Sequence, residues 1–220
     1  MDAQLRARLA EIVTVRGVND RLDSVSPRST PEVVAVCRSC AELGTPISVV
    51  SGAVVDPAPG GRAITVSLGR LDQVGVDPGA MVVRAGAGAT LVSLRVAVDA
   101  VGLALVGVTG GGPGAAVHAG SLVARGQLPR RALTGVVAVL PEGEVVRAGG
   151  GVLKDVTGYD LAGALLGSMG RLALITEVIF RLQPRHARTT APEGPLGLAT
   201  ASSELLRRAF DPEGLLVAAR

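Results

Sequence analysis

The chain has 220 residues, 48% hydrophobic and only 1% aromatic, with a formal net charge of +3. That length suits one domain or two small lobes, with a core built from Val, Leu, Ala and Ile. Tyr159, Phe180 and Phe210 are the whole aromatic set, too few to stack bases, and the arginines are scattered, so nucleic acid is not an expected partner.

The predicted elements begin with an amphipathic helix over residues 1–16, with Leu5, Leu9, Ile12 and Val13 on one face. This start lacks the basic-then-apolar order of a signal peptide. The apolar run over 96–108 is broken by Asp99 and glycines, short of the roughly 20 residues of a membrane span. A soluble, cytoplasmic protein is expected. A connector follows through Asp23 to Ser26-Pro27. Ser29-Thr30-Pro31-Glu32 then opens a helix that runs to Leu43 and stops at Gly44. Inside it lie Cys37 and Cys40. A C-x-x-C pair can be redox-active or half of a zinc site, but no second Cys or His pair completes one here. Two small residues facing the core is the preferred reading, and no metal is expected.

Strands follow over 47–50, 63–68 and 81–85, the last after an Asp77-Pro78-Gly79 turn. Residues 90–100 read as a helix with Leu91, Leu94 and Val98 on its core face, ended by Gly102. A glycine-rich stretch over 109–126 sits between apolar strands, which suits a binding loop or tight turns. Residues 135–140 and 144–148 form a hairpin pattern around Pro141-Glu142-Gly143. A short helix over 160–166, capped by Asp160, precedes a long strand over 172–182. Residues 185–200 read as a linker and 202–210 as a last helix. There is no internal repeat.

Four phrases in this order carry a resemblance. They are Ser26-Pro27-Arg28-Ser29-Thr30-Pro31-Glu32-Val33, then Leu153-Lys154-Asp155-Val156-Thr157-Gly158-Tyr159-Asp160-Leu161. Gly167-Ser168-Met169-Gly170-Arg171-Leu172-Ala173-Leu174-Ile175-Thr176-Glu177 follows, and Phe210-Asp211-Pro212-Glu213-Gly214-Leu215 closes the set. Together they resemble the FAD-linked oxidase family, with its vanillyl-alcohol-oxidase or PCMH-type FAD-binding domain, and above all the FAD-binding accessory subunits of glycolate oxidases. The resemblance covers about residues 25–185 plus the tail from about 202. It implies an α+β fold of two lobes, a small mixed α/β lobe and a larger, mostly antiparallel one. The implied domains are an N-terminal helix and connector (1–24), the FAD-binding domain (25–185, lobes about 25–107 and 108–185), a linker in place of the family's cap domain (186–201) and a C-terminal helix and tail (202–220).

The resemblance also implies non-covalent FAD and a set of contacts. Ser51, Gly52 and Ala53 match the pyrophosphate loop. Thr109, Gly110, Gly111, Gly112 and Gly114, with Gly120 and Ser121, would cradle the diphosphate and isoalloxazine edge through backbone amides. Ile175 and Thr176 match adenosine-end positions that act chiefly through the backbone. His118 lies in the second loop, where a role at the flavin competes with a packing role. Lys154, Asp155, Tyr159 and Asp160 form the densest polar cluster, and Arg171 can pair with phosphate.

Two departures from the family pattern stand out. The R-G-G-G-T-S loop reads Val50-Ser51-Gly52-Ala53-Val54-Val55 here, with β-branched valines at positions suited to glycine. The cap, which carries most substrate-orienting groups in relatives, is replaced by linker. No catalytic residue is therefore assigned. The implied function is a FAD-binding subunit of a flavin-dependent, glycolate-type 2-hydroxy-acid oxidoreductase that works with other oxidase subunits. The alternative is a flavin-free scaffold or regulatory subunit, and an autonomous small flavoenzyme is the third reading.

Overall fold

The computed structural model describes residues 3–18, 21–51, 63–108, 117–150, 160–186 and 200–217. The elements begin with α1 (Ala3–Ile12), β1 (Thr14–Val18), β2 (Arg21–Ser26), α2 (Thr30–Glu42), β3 (Ile47–Val50) and β4 (Ile64–Ser67). Next come β5 (Val74–Asp77), β6 (Val82–Gly86), α3 (Leu91–Asp99), β7 (Leu103–Leu105) and α4 (Ala119–Ala124). A 3-10 turn at Arg130–Ala132 leads into β8 (Leu133–Val139), β9 (Val145–Gly149), α5 (Leu161–Leu165) and β10 (Leu174–Pro184). The chain finishes with α6 (Thr200–Phe210) and β11 (Leu216–Val217).

These elements make an α+β fold of two sheets. The first has the order β1-β2-β4-β3-β11. Its β2, β4, β3 and β11 run parallel, and β1 closes the edge as an antiparallel hairpin partner of β2. Parallel strands are normally covered on both faces, and all of β4 is buried. The cover comes from α1 and α2, which contribute Leu5, Leu9, Val33 and Val36 to the core. The α2 start is built as its residues predict. The Ser29 hydroxyl accepts from the Glu32 N–H (3.3 Å), and the Glu32 carboxylate accepts from the Arg28 N–H (2.8 Å). Cys37 and Cys40 are fully buried on the core face of this helix. Burial pushes both thiols up, Cys40 to about 12, so neither is a reactive thiolate. No group of residues able to hold a metal ion occurs among the described residues.

The second sheet has the order β5-β6-β10-β8-β9 and is antiparallel throughout, with β7 pairing the far end of β10. Helices α3, α4 and α5 bury Leu94, Leu122 and Leu165 against it, around Phe180 of β10. The two sheets meet along a seam. Val139 of β8 and Leu174 of β10, with Ala87 just past β6, pack into the first core.

Several expectations are corrected. The predicted first helix ends at Ile12, and the expected connector is a hairpin, because Thr14-Val15 and Val25 favour paired strands. Short β5, β7 and β11 were not expected, and the glycine-rich stretch contains α4. Because β5 and β6 join β10, the second sheet begins at Val74. No helix among the described residues is long and apolar enough to cross a membrane.

Candidate functional site

Where the two sheets meet, the C-terminal ends of β3 and β4 face α4 across a cavity of about 350 Å³. Small-molecule sites span roughly 300–1,000 Å³, so this one is at the compact end. Val49, Val50 and Ser51 come from the end of β3, and Leu68 from just beyond β4. Val117, His118, Gly120, Ser121, Ala124, Arg125 and Gln127 come from α4 and its flanks. Met169, Gly170 and Ala173 from the turn before β10, with Ile175 within it, complete the wall.

The backbone straps α4 into place. Leu91 N–H donates to Val117 O (2.8 Å), Ala119 N–H to Ala89 O (2.8 Å) and Gly120 N–H to Ala87 O (2.9 Å). These bonds draw the start of α4 so close that a Cβ on Gly120 would lie 2.8 Å from Ser51 Oγ and 2.9 Å from Ala87 Cβ. Only glycine fits that approach. Ala119, Leu122 and Val123 then turn into the core, so His118, Ser121 and Arg125 fall on the cavity side. At the other end of the cavity, Gly167 N–H donates to Val123 O (2.9 Å) and Met169 N–H to Ala124 O (2.7 Å). The turn needs left-handed backbone at Gly167 (φ 82°), Met169 (φ 54°) and Gly170 (φ 71°). Met169 adopts it with a side chain half-exposed at the rim.

Of the residues predicted to hold FAD, the structure brings Ser51, Gly120, Ser121 and Ile175 to this one cavity. Gly52, Ala53, Thr109, Gly110, Gly111, Gly112 and Gly114 lie outside the described residues, as do Lys154, Asp155 and Tyr159. Thr176 is buried away from the cavity. Its hydroxyl accepts from Thr30 Oγ1 (3.1 Å) and donates to Val137 O (3.3 Å), and its carbonyl accepts from the Ala87 N–H (3.0 Å). That side chain joins the lobes. The Ser121 hydroxyl is likewise engaged, accepting from the His118 N–H (3.2 Å) and donating to His118 O (2.8 Å). Asp160 caps α5 by accepting from the Gly163 N–H (2.9 Å). It also takes a two-pronged bond from Arg130, at 2.8 and 2.6 Å. That bond holds its carboxyl below the usual range. Arg171 does not line the cavity.

Arg125, Gln127 and Met169 were missed by sequence reasoning, though Arg125 stands four residues after Ser121, one helical turn on. His118 is half-buried, and desolvation holds its imidazole below the ordinary value, so it is neutral near pH 7.

The donor set suits the FAD that the resemblance implies. Val49, Val50, Leu68, Ala173 and Ile175 offer an apolar wall to a planar ring. Ser51, His118, Arg125 and Gln127 line the same cavity with groups able to donate to an anion.

Comparison with known proteins gives the family. A family model described as a FAD binding domain matches residues 24–149, more than half of the chain. The mitochondrial D-lactate dehydrogenase [cytochrome] of Arabidopsis thaliana is 34% identical over 177 residues, 74% of this chain and 31% of that protein. The glycolate oxidase subunit GlcE of Escherichia coli (strain K12) is 29% identical over 198 residues, 83% of this chain and 51% of that subunit. The chain thus spans about a third to a half of the length of these relatives. Among solved structures, a xylooligosaccharide oxidase from Myceliophthora thermophila C1 superposes with a TM-score of 0.65 at 19% identity. The match covers 83% of this chain and 43% of that one, a likeness of fold.

Proposed function

The chain belongs to the FAD-binding domain family, and we propose that it is the FAD-binding subunit of a flavin-dependent 2-hydroxy-acid oxidoreductase of the glycolate type, working with partner subunits. The observation that carries this reading is the cavity at the seam, where Ser51, Gly120, Ser121 and Ile175 converge inside a domain whose relatives include a glycolate oxidase subunit and a D-lactate dehydrogenase. In this reading α4 and the β3 end hold the diphosphate, and the apolar wall takes the adenosine end. The cofactor, when bound, supplies a hydride acceptor; the chain's own residues bind and orient it. Among the described residues of the cavity, His118 is the one side chain able to act as a base, and in this reading partner chains supply the substrate-orienting groups.

A second reading, a flavin-free scaffold or regulatory subunit, draws on Val54 and Val55, which stand at matched loop positions suited to glycine and hydroxyl residues. One experiment separates them. The purified chain, incubated with excess FAD and desalted, should be yellow and show bound-flavin absorbance. A colourless protein that takes up no added FAD sinks the first reading and leaves the scaffold, for which co-purification with an oxidase subunit is the check.

A further inference from the structure

The cavity's described walls carry two basic side chains, His118 and Arg125, and no acidic one. The two stand at opposite ends of α4: His118 is its N-cap and Arg125 its C-cap. Arg125 sits one turn beyond Ser121, to whose carbonyl its N–H donates (2.9 Å), and this turn faces the cavity. Elsewhere some arginines pair with carboxylates, among them Arg8 with Glu42, Arg84 with Glu177, Arg130 with Asp160 and Arg185 with Asp99. No carboxylate among the described residues pairs with Arg125. Its exposed guanidinium at the edge of a concave, half-apolar cavity is placed to receive an anion from solution, and a guanidinium's planar fork matches a phosphate's oxygens.

We propose that Arg125 is a phosphate-binding residue of this cavity, with His118 as the second donor on the same face of α4. The proposal rests on the cavity being the FAD site and adds to it: side chains of α4, and not only backbone amides, hold the diphosphate. Burial keeps His118 neutral near pH 7, so Arg125 supplies the fixed charge and His118 one N–H. Ser121 cannot serve in the same way, because its hydroxyl is already engaged by the His118 backbone. The apolar side of the cavity then covers the ligand's ring and leaves its anionic part against α4.

The test is calorimetric titration of the full chain, as wild type, Arg125→Gln and Arg125→Lys, with FAD, ADP and riboflavin, which has no phosphate. Arg125 is exposed, so the variants should keep the wild-type thermal midpoint, measured alongside. Arg125→Gln should weaken FAD and ADP about tenfold or more, as loss of one charge-assisted contact implies, and leave riboflavin unaffected. Arg125→Lys should recover part of the loss, and raising salt should narrow the gap between wild type and Arg125→Gln. Wild type and Arg125→Gln binding FAD and ADP with equal affinity overturns the proposal while leaving the FAD reading intact. A wild type that binds ADP through Arg125 but not FAD keeps the phosphate site and removes the FAD reading. A wild type that binds neither removes both.

Discussion

At the scale of single residues, the site depends on close approach more than on any one side chain. Gly120 is the clearest case. Its missing Cβ lets α4 rest against Ser51 Oγ and Ala87 Cβ. The hydroxyl could turn aside, but the Ala87 methyl is fixed to its backbone and cannot. Gly120→Ala should therefore push α4 away from the β6–α3 turn and cost about 1–3 kcal/mol, the usual penalty for overpacking a filled site. Denaturant unfolding measures this. FAD affinity should fall with it, because the same displacement moves Ser121 and Arg125. Stability and affinity unchanged in Gly120→Ala would mean that the helix start has slack that the backbone bonds at Ala87 and Ala89 do not suggest. Thr176 shows the converse. The motif containing it is easy to find, but its side chain faces the seam between the lobes, not the cavity.

At the scale of elements, legibility followed how local the stabilising signal is. Helix α2 carries its own start in Ser29, Pro31 and Glu32, and its own stop in Gly44 at φ +56°. Thr90 caps α3 by accepting from the Ser93 N–H (3.0 Å), and Asp160 caps α5. The β8–β9 hairpin turns at Gly143 (φ 83°). All of these can be read from a few adjacent residues. Helix α4 cannot: His118 is a weak capping residue, and six residues within a glycine-rich run show no period. Strands β7 and β11 are set by distant edges of β10 and β3, which no local pattern encodes. The cavity was half legible for the same reason. Ser51, Gly120, Ser121 and Ile175 stand in recognisable phrases, whereas Arg125, Gln127 and Met169 meet only through the packing of α4 on the turn before β10. The α5 cap also gives a pH prediction. Arg130 holds the Asp160 carboxyl below its ordinary value of 3.8, so the ionised form favours the fold. That contribution is present in full above the ordinary value and is lost as pH falls through the lower folded one. Asp160→Asn keeps a capping oxygen but not the ion pair. Its thermal midpoint should lie below wild type at neutral pH, and the gap should narrow as pH falls below the ordinary value. A constant offset across that range would count against the ion pair.

At the scale of the whole molecule, three separate ties make the two sheets one cooperative unit. Ala87, Val139 and Leu174 cross into the first core. The Thr30–Thr176–Val137 chain of hydrogen bonds links α2 to β10 and β8. The C-terminal segment is the third tie, because Leu206 and Phe210 pack on the second core while Leu216 is buried in the first. Asp211 sets this last geometry. Its buried carboxylate accepts from the Leu215 N–H (2.8 Å) and the Leu216 N–H (2.9 Å), turning the chain so that Leu216 pairs with Ile47 of β3. Asp211→Ala leaves two buried N–H groups without an acceptor, which should cost about 2–3 kcal/mol. Calorimetry of the wild type should show one transition with equal calorimetric and van't Hoff enthalpies. In Asp211→Ala that single transition should move down as a whole, and amide exchange should quicken in β3 and around Phe210 together. If only Leu216 and Val217 exchange faster while the midpoint stays put, the tail is a local attachment and the lobes are held by the other two ties. The difference matters for the cavity, because β11 pairs with the same strand that delivers Val49, Val50 and Ser51 to its wall. A tail that ties both lobes also fixes that wall against α4, so FAD affinity should fall in Asp211→Ala although Asp211 does not line the cavity.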